Sequence, residues 1–552
     1  MKHISEVANS FGIKDDYLEL YGKYKAKLSY KFIKENTYKD KKKGKLILVT
    51  AINPTPAGEG KTTVTISLTQ GLNKIGKKAV AALREPSLGP CFGMKGGASG
   101  GGKSCLIPEN DLNLHFTGDF HAITSANNLI AAVLDNTLHQ GNSLNINPKR
   151  ILWKRVLDMN DRPLRDIVIG LGPHTNGLTR EDGFMISVAS EIMAVFCLAT
   201  DLNDLRKRLN NIIVAYTFDN KPVRVEDLGI VGSLMALLVE AFKPNIIQTT
   251  EGNLAVVHGG PFANIAHGCN SVLATRTALS IGEYAITEAG FGADLGAEKF
   301  FDIKCRTSGL YPDAVVIVAT IRALKFNGGV DKTELTEENL QALETGFVNL
   351  ERHVKNMKSF GKPVCVAINR FSSDTDKEVE LLKDLCKKLE VPCDICDGFS
   401  AGGEGTVDLA ETVVKITSGE DLSEGKEQLN FYPYDLEDTV ETKISKLSSK
   451  FYGASNVEFS SAARKSMVEI EKMGCGNLPI CVAKTPYSFS DNAKLLGAPS
   501  GFTITVSKVR LSAGAGMVVL EVGNIMTMPG LPKLPAALDI DIDDDGNILG
   551  MI

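Results

Sequence analysis

The sequence predicts an α/β fold built around a largely parallel sheet. Two observations support this: short apolar runs recur at the length of buried strands, and helical patterns separate most of them. The runs are 45–51, 78–83, 166–171, 211–216, 245–249, 284–287, 314–319 and 362–368. After about residue 420 the pattern changes to helices and then to an alternating strand at 502–509, which is typical of a sheet with one exposed face.

The first of these runs leads into a glycine-containing loop that ends in Gly-Lys-Thr. Apolar residues then recur at helical spacing, at Val64, Leu68, Leu72 and Ile75. A strand, a glycine loop, Lys-Thr and a helix together are the parts of a phosphate-binding P-loop. The fold class is therefore α/β with a core like that of the P-loop NTPases and additional α/β domains. A glycine-rich loop that binds no phosphate is the alternative.

The chemistry of this loop predicts a nucleoside triphosphate as its ligand. Gly58 and Gly60 let backbone N–H groups face phosphate oxygens, Lys61 can reach the β- and γ-phosphates, and the Thr62 hydroxyl can ligate Mg²⁺. Thr55 stands where the standard pattern has glycine. The predicted ATP site consists of Thr55, Pro56, Ala57, Gly58, Glu59, Gly60, Lys61 and Thr62.

Length and composition narrow the class of protein. The 552 residues predict two to four domains, and a net charge of −5 gives no sign of a nucleic-acid partner. No charge-free apolar run approaches the ~20 residues that span a bilayer, and the first residues lack the apolar core of a signal peptide. The eleven cysteines are odd in number and scattered through apolar runs, which indicates reduced thiols and a cytoplasmic protein.

Two further patterns have both a functional and a plain interpretation. Cys393 and Cys396 form a lone C-x-x-C pair, for which strand-end cysteines are a better interpretation than a zinc or redox site. The acidic tail 539–545 lacks the closing glutamate of an EF-hand, so we expect a solvated turn rather than a calcium loop.

Ligands of an open α/β sheet bind at the carboxyl ends of its strands, and several candidate residues follow such ends. Arg84 follows the run 78–83, Arg322 follows 314–319, and Arg370 follows 362–368. An arginine there suits a phosphoryl or acyl phosphate group, although a surface salt bridge is the alternative for each one. The glycine-rich segment 93–102 predicts a substrate loop, with a flexible linker as the alternative.

His115 and Asp119, which follow this loop, are possible proton-handling groups. Structural roles for both are equally compatible with their spacing.

The chain resembles the formate–tetrahydrofolate ligase family over essentially its whole length. The residues that carry the resemblance lie in 84–90 (REPSLGP), 93–103 (GMKGGASGGGK), 114–119 (LHFTGD), 259–268 (GGPFANIAHG), 318–329 (VATIRALKFNGG) and 526–532 (MTMPGLP). The resemblance implies that ATP, formate and tetrahydrofolate give 10-formyltetrahydrofolate, ADP and phosphate through formyl phosphate, with Mg²⁺ and a monovalent cation, K⁺ or NH₄⁺. It also implies a homotetramer.

The resemblance assigns roles to residues at matching positions. Lys61 would neutralise charge in phosphoryl transfer, and Arg84 would hold formyl phosphate and offset the oxyanion of the second step. Glu85 would lie at the monovalent-cation site, and Thr62 would ligate Mg²⁺.

The resemblance likewise places the folate. Phe371 and Phe399 would sandwich the pterin, and Asp119 would hydrogen-bond its ring nitrogens. The family commonly has Trp where this chain has Phe399; Ser99 in place of Ala and Lys103 in place of Tyr are further departures.

For the domains we expect an ATP and formyl-phosphate domain at 1–355, with an inserted α/β subdomain at about 126–265. The region 356–552 would contribute the folate site and contain an α+β subdomain from about 420. Apolar spacing in 17–28 predicts an N-terminal helix. With no cyclohydrolase- or dehydrogenase-sized region attached, we expect a stand-alone ligase.

Two other classes compete with this interpretation. A regulatory P-loop NTPase would use Asn369 and Arg370 as a guanine-reading motif, but Ser372 stands where that motif needs an aspartate. A different ATP-dependent carboxylate ligase would also activate its carboxylate as an acyl phosphate, but it would not need Phe371 and Phe399.

Overall fold

A computed structural model describes residues 1–37, 44–55, 58–94, 98–419, 432–523 and 525–551. The α-helices within them are Ile4–Ser10, Tyr30–Asn36, Lys61–Lys74, Leu88–Phe92, Glu109–Asn113, Asp119–His139, Glu191–Leu198, Leu202–Asn211, Val231–Leu238, Val272–Ile281, Arg306–Ser308, Ile321–Asn327, Leu340–Lys358, Asp376–Lys388, Gly398–Ala401, Val407–Ser418, Val440–Leu447 and Ser461–Lys472. None of them combines the length and the apolar character needed to cross a bilayer.

A 12-stranded sheet forms the centre of the described molecule. Its parallel part has the spatial order Leu254–Val257, Ala79–Leu83, Tyr284–Glu288, Lys45–Ala51, Ala314–Ala319, Val364–Asn369 and Cys393–Cys396. The predicted α/β fold with a largely parallel sheet is confirmed. Because parallel strands end at one edge, the segments after residues 51, 83, 288, 319 and 369 lie along the same edge.

The strand Lys45–Ala51 is buried on both faces, which explains its apolar run. Ile47 and Val49 face one core, which they share with Val64 and Leu68 of the following helix. Leu46 and Leu48 face the opposite core. The helical spacing read from the sequence is therefore the contact face of Lys61–Lys74 against the sheet.

On one lateral side of the main sheet the strands pair antiparallel. The helix predicted for residues 17–28 is wrong, because this segment belongs to that side of the sheet. Residues 17–28 form the strands Leu18–Leu20 and Ala26–Leu28, which pair antiparallel with each other. Ala26–Leu28 also pairs with the strand Asn245–Thr249. Gly22, at φ +80°, turns the chain between the two strands, and the edge pairing outweighs the helical spacing.

The remaining strands form small sheets around this centre. The predicted run 166–171 contributes only Ile167–Ile169, paired antiparallel with Arg180–Asp182 and partly exposed, so its assignment as a buried strand was wrong. Ile213–Thr217 lies between Pro222–Arg224 and Ile146–Ile151. Arg155–Leu157 pairs with Phe184–Ile186, and Asp541–Ile542 pairs with Ile548–Leu549. Gly100–Gly101 and Ser104–Ile107 belong instead to the main sheet, in which Ser104–Ile107 pairs with Asn245–Thr249.

The C-terminal region contains a four-stranded sheet in the order Asn456–Phe459, Thr503–Ser512, Met517–Val522 and Ile480–Ala483. The alternating burial of Thr503–Ser512 confirms the predicted half-exposed strand. The division of the chain at residue 355 stays a prediction, and we note that the main sheet takes strands from both sides of it.

Candidate active site

The loop after the strand Lys45–Ala51 has the backbone that its glycines allow. Gly58 and Gly60 have φ values of +79° and +71°, and Gly60 precedes the helix Lys61–Lys74 directly. A Cβ on Gly60 would lie 2.3 Å from Nδ2 of Asn369, so only glycine fits there. The first turn of the helix therefore opens at the ligand-binding edge of the sheet. Pro56 and Ala57 lie outside the described residues.

Glu59 holds this loop in shape from inside the protein. Its buried carboxylate accepts hydrogen bonds from the N–H (2.7 Å) and hydroxyl (3.0 Å) of Thr55 and from the Thr320 hydroxyl. Asn369 donates to the Glu59 carbonyl at 3.0 Å. Thr55, the departure from the standard motif, thus supplies a hydroxyl that pairs with Glu59, whereas glycine would not.

One carboxylate joins the loop to Arg84. Glu288 ends the strand Tyr284–Glu288, which lies between the strands that lead to the loop and to Arg84. Its Oε2 accepts the Thr62 hydroxyl at 2.9 Å, and its Oε1 lies 3.3 Å from Nη2 of Arg84. Arg84 Nη1 donates to the Pro261 carbonyl at 3.4 Å, while its buried Nε has no hydrogen-bond partner in the described part of the chain. A buried donor without a partner is a place for a ligand oxygen.

Glu85 lies next to Arg84 and is almost fully buried. Its Oε2 has no hydrogen-bond partner within the residues that the structure describes. Burial first, and then the charge of Asp119, raise the pKa of Glu85 well above its usual value, while Lys27 opposes them. Burial likewise raises the pKa of Asp158 to about 6, although Ser87 and the Leu88 N–H donate to it. A carboxylate oxygen that is buried and unpaired fits a cation of the hard type.

Asp119 is almost fully buried. It begins the helix Asp119–His139, and its carboxylate pairs with Lys27 at 2.7 Å, both side chains being about 1% exposed. Asn245 donates to its second oxygen at 2.7 Å. The predicted contact of Asp119 with a pterin stays a prediction. His115 is exposed on the loop that precedes the helix.

The glycine-rich segment packs directly against Phe399. Lys103 N–H donates to the Phe399 carbonyl at 2.8 Å, and a Cβ on Gly102 would lie 2.1 Å from that oxygen. A Cβ on Gly101 would lie 3.2 Å from the ring itself. These glycines let the loop support a ring that stays 59% exposed. Residues 95–97 lie outside the described part; buried Ser99 donates to Glu109, and Lys103 is exposed.

Phe371, the second predicted folate residue, is half-buried after the strand Val364–Asn369. The guanidinium of Arg322 lies 3.6 Å from its ring centre, a close cation–π contact. Among the described residues, Phe371 and Phe399 are not in ring contact with each other, so each presents its own surface.

Sequence reasoning missed Glu288. The signal was present, because the predicted strand 284–287 is followed by a glutamate at its carboxyl end. Its significance depends on strand order, which places the residue between the P-loop strand and the strand before Arg84. The partnership of Arg322 with Phe371 likewise joins two separate strand ends.

Taken together, these features define an α/β protein in which a glycine loop that opens a helix meets Arg84 through Glu288 at the carboxyl edge of the main sheet. The family model for formate–tetrahydrofolate ligase matches residues 1–552, and the chain belongs to that family. The protein is accordingly a ligase that joins formate to tetrahydrofolate in an ATP-dependent reaction of one-carbon metabolism.

Proposed function

We propose that the ligation passes through formyl phosphate, with both steps at the edge of the main sheet. A formate oxygen attacks the γ-phosphorus of ATP, and the bond to the ADP oxygen breaks. N10 of tetrahydrofolate then attacks the formyl carbon, phosphate leaves, and N10 loses its proton. Formate needs this activation because oxide is a poor leaving group, whereas phosphate is a stabilised one.

The first step uses the loop residues. Backbone N–H groups of the loop, which include those of Glu59 and Gly60, would hold the phosphates, and Lys61 would neutralise charge on the transferring phosphoryl group. The hydrogen bonds of Glu59 to Thr55 and Thr320 support this role because they tie the described part of the loop to the sheet.

The second step uses Arg84. Its unpartnered Nε–H is the donor we assign to formyl phosphate, and its positive charge would offset the oxyanion that forms when N10 attacks.

Two cations fit the residues that would hold them. The Thr62 hydroxyl donates its proton to Glu288, which leaves its lone pairs for Mg²⁺, and the unpaired Glu85 oxygen suits K⁺ or NH₄⁺. Mg²⁺, when bound, supplies charge neutralisation on the phosphates.

The observation that carries the proposal is the meeting of Thr62 and Arg84 on Glu288, because it brings a phosphate loop and an anion-binding arginine to one place. The test is product formation by the purified chain with ATP, Mg²⁺, K⁺, formate and tetrahydrofolate, each omitted in turn. Product should vanish without any one substrate. ATP hydrolysis that ignores formate and folate would favour a regulatory NTPase instead.

Phe399→Trp tests the folate site. A larger ring should stack more strongly on the pterin, so we expect the apparent KM for tetrahydrofolate to fall about two- to tenfold, as for ~0.5–1.5 kcal/mol of stacking. Phe218→Trp is the matched control, because Phe218 is 58% exposed on a turn outside the site. An unchanged KM in the Phe399 variant would argue against stacking at this position.

Glu85→Gln tests the monovalent-cation site. The amide keeps the shape of the side chain but loses its charge, so the ratio of rates with and without K⁺ should fall to about 1. Glu404→Gln, at an exposed glutamate, should keep the wild-type ratio. A Glu85 variant that still responds fully to K⁺ would place the cation elsewhere.

A further inference from the structure

We propose that Glu288 is a positioning residue that sets the nucleotide-binding and formyl-phosphate-binding halves of the site relative to each other. The proposal rests on the proposed function, since it takes Thr62 as the Mg²⁺ ligand and Arg84 as the formyl phosphate ligand. Glu288 touches both and, in our assignment, no substrate.

The position of Glu288 follows from the sheet. Its strand pairs in parallel with both neighbours: Glu288 lies opposite Val49, and Thr287 lies opposite Ala82. The side chain is 5% exposed, so its charge is little screened by water. Each carboxylate oxygen has a different partner, Thr62 for Oε2 and Arg84 for Oε1.

These two contacts decide which atoms remain for substrates. A hydroxyl has one proton, and Thr62 gives it to Glu288, so its lone pairs would remain available to a metal ion. Arg84 uses Nη2 on Glu288 and Nη1 on the Pro261 carbonyl, so Nε is the guanidinium nitrogen that has no partner among the described residues. Glu288 therefore fixes both the metal-facing side of Thr62 and the substrate-facing side of Arg84.

Only a carboxylate can accept hydrogen bonds from both partners at once. Glutamine has nearly the same shape, but its NH₂ end would donate to the Thr62 hydroxyl oxygen and so occupy a lone pair that Mg²⁺ needs. Aspartate keeps the charge, yet it is one methylene shorter and cannot reach both partners from the same backbone position.

The experiment compares Glu288→Gln with Glu283→Gln. Glu283 is exposed immediately before the same strand and accepts the Lys78 N–H at 2.9 Å, at the end of the strand opposite to Glu288. Calorimetry measures ADP affinity with and without Mg²⁺, and steady-state kinetics measure kcat and the KM values for formate and tetrahydrofolate.

For Glu288→Gln we expect metal-free ADP affinity to be unchanged while the gain in affinity on adding Mg²⁺ is lost. The kcat should fall by about 10²-fold, the size seen when one preorganised donor is removed, with the KM for tetrahydrofolate unchanged. When residue 84 is already lysine, Glu288→Gln should lower kcat by a smaller factor than it does in the wild type, because the contact between Glu288 and Arg84 is already lost. Glu283→Gln should match the wild type.

Wild-type Mg²⁺ response and kcat in Glu288→Gln would overturn the proposal. If that variant does not fold, Glu288→Asp decides: loss of the Mg²⁺ gain with intact metal-free ADP binding supports the role, and a wild-type response overturns it. The ADP titrations test the role of Glu288 without any product being formed. The omission experiment tests the formyl phosphate route separately, so the failure of one proposal can be told from the failure of the other.

Discussion

Lys61→Ala should lower the rate of 10-formyltetrahydrofolate formation by about 10³-fold, the upper range for losing one electrostatic contact to a transition state. Lys61 is the first residue of the helix that follows the glycine loop, so in our proposal its charge and the positive helix end would act on the same phosphates. Negative charge on the transferring phosphoryl group needs this positive charge most at the transition state. The measurement is product formation at saturating ATP, with ATP affinity measured separately by calorimetry.

Lys74→Ala is the matched control for Lys61→Ala. Lys74 is the last residue of the same helix, is partly exposed, and pairs at 3.8 Å with Glu251 and at 3.6 Å with Glu404. Pairs of this kind contribute about 0–1 kcal/mol, so the control should fold and turn over like the wild type. Normal product formation by Lys61→Ala would remove the glycine loop from the mechanism.

The parts of this protein that were predictable from sequence are those whose structure is determined by residues close together in the chain. The strand Lys45–Ala51, the glycine turn and the helix Lys61–Lys74 each follow from neighbouring residues, and apolar spacing at Val64 and Leu68 marks the buried face. Buried parallel strands such as Ala314–Ala319 give an equally local signal, a run of apolar residues of strand length.

What the sequence could not supply is the pairing of distant segments. The helical spacing of residues 17–28 was misleading because the strand Asn245–Thr249, far along the chain, offers an edge for pairing. Strand order also places Glu288 between Thr62 and Arg84, which are 226 and 204 residues away from it. Such contacts are set by packing of the whole sheet, and no local pattern records them.

The glycine-rich segment 93–102 depends both on its local composition and on a contact with a distant part of the chain. Its composition predicted close approach of backbone to another group, which is a local inference. The structure shows that the closest approach, at Gly102, is to the backbone of Phe399, nearly three hundred residues later in the chain. The segment thus acts as a support for a folate-site residue in our proposal, a role that composition alone did not distinguish from direct contact with a substrate.

Arg84→Ala should reduce product formation by about 10²- to 10³-fold while leaving ATP affinity as in the wild type. Our assignment gives Arg84 to formyl phosphate and to the oxyanion of the second step, and its free Nε–H is the atom that contacts the intermediate. Arg84→Lys should also be impaired, because an ammonium keeps the charge but cannot hold Glu288, the Pro261 carbonyl and a ligand oxygen in one plane. Product formation and ATP calorimetry on the same preparations measure both expectations.

Arg464→Ala is the control for the loss of an arginine. The Arg464 side chain is 56% exposed, and its ion pair with Glu441 is long, at 3.6 Å. It should match the wild type in both measurements. The pattern across the variants then locates Arg84 in the reaction: a loss of product with normal ATP binding assigns it to the formyl group. A loss of ATP affinity of the same size would assign Arg84 to the nucleotide instead. The oxyanion of the second step would then need another donor. Arg322, which stacks on Phe371, is the arginine that strand order places next along the carboxyl edge.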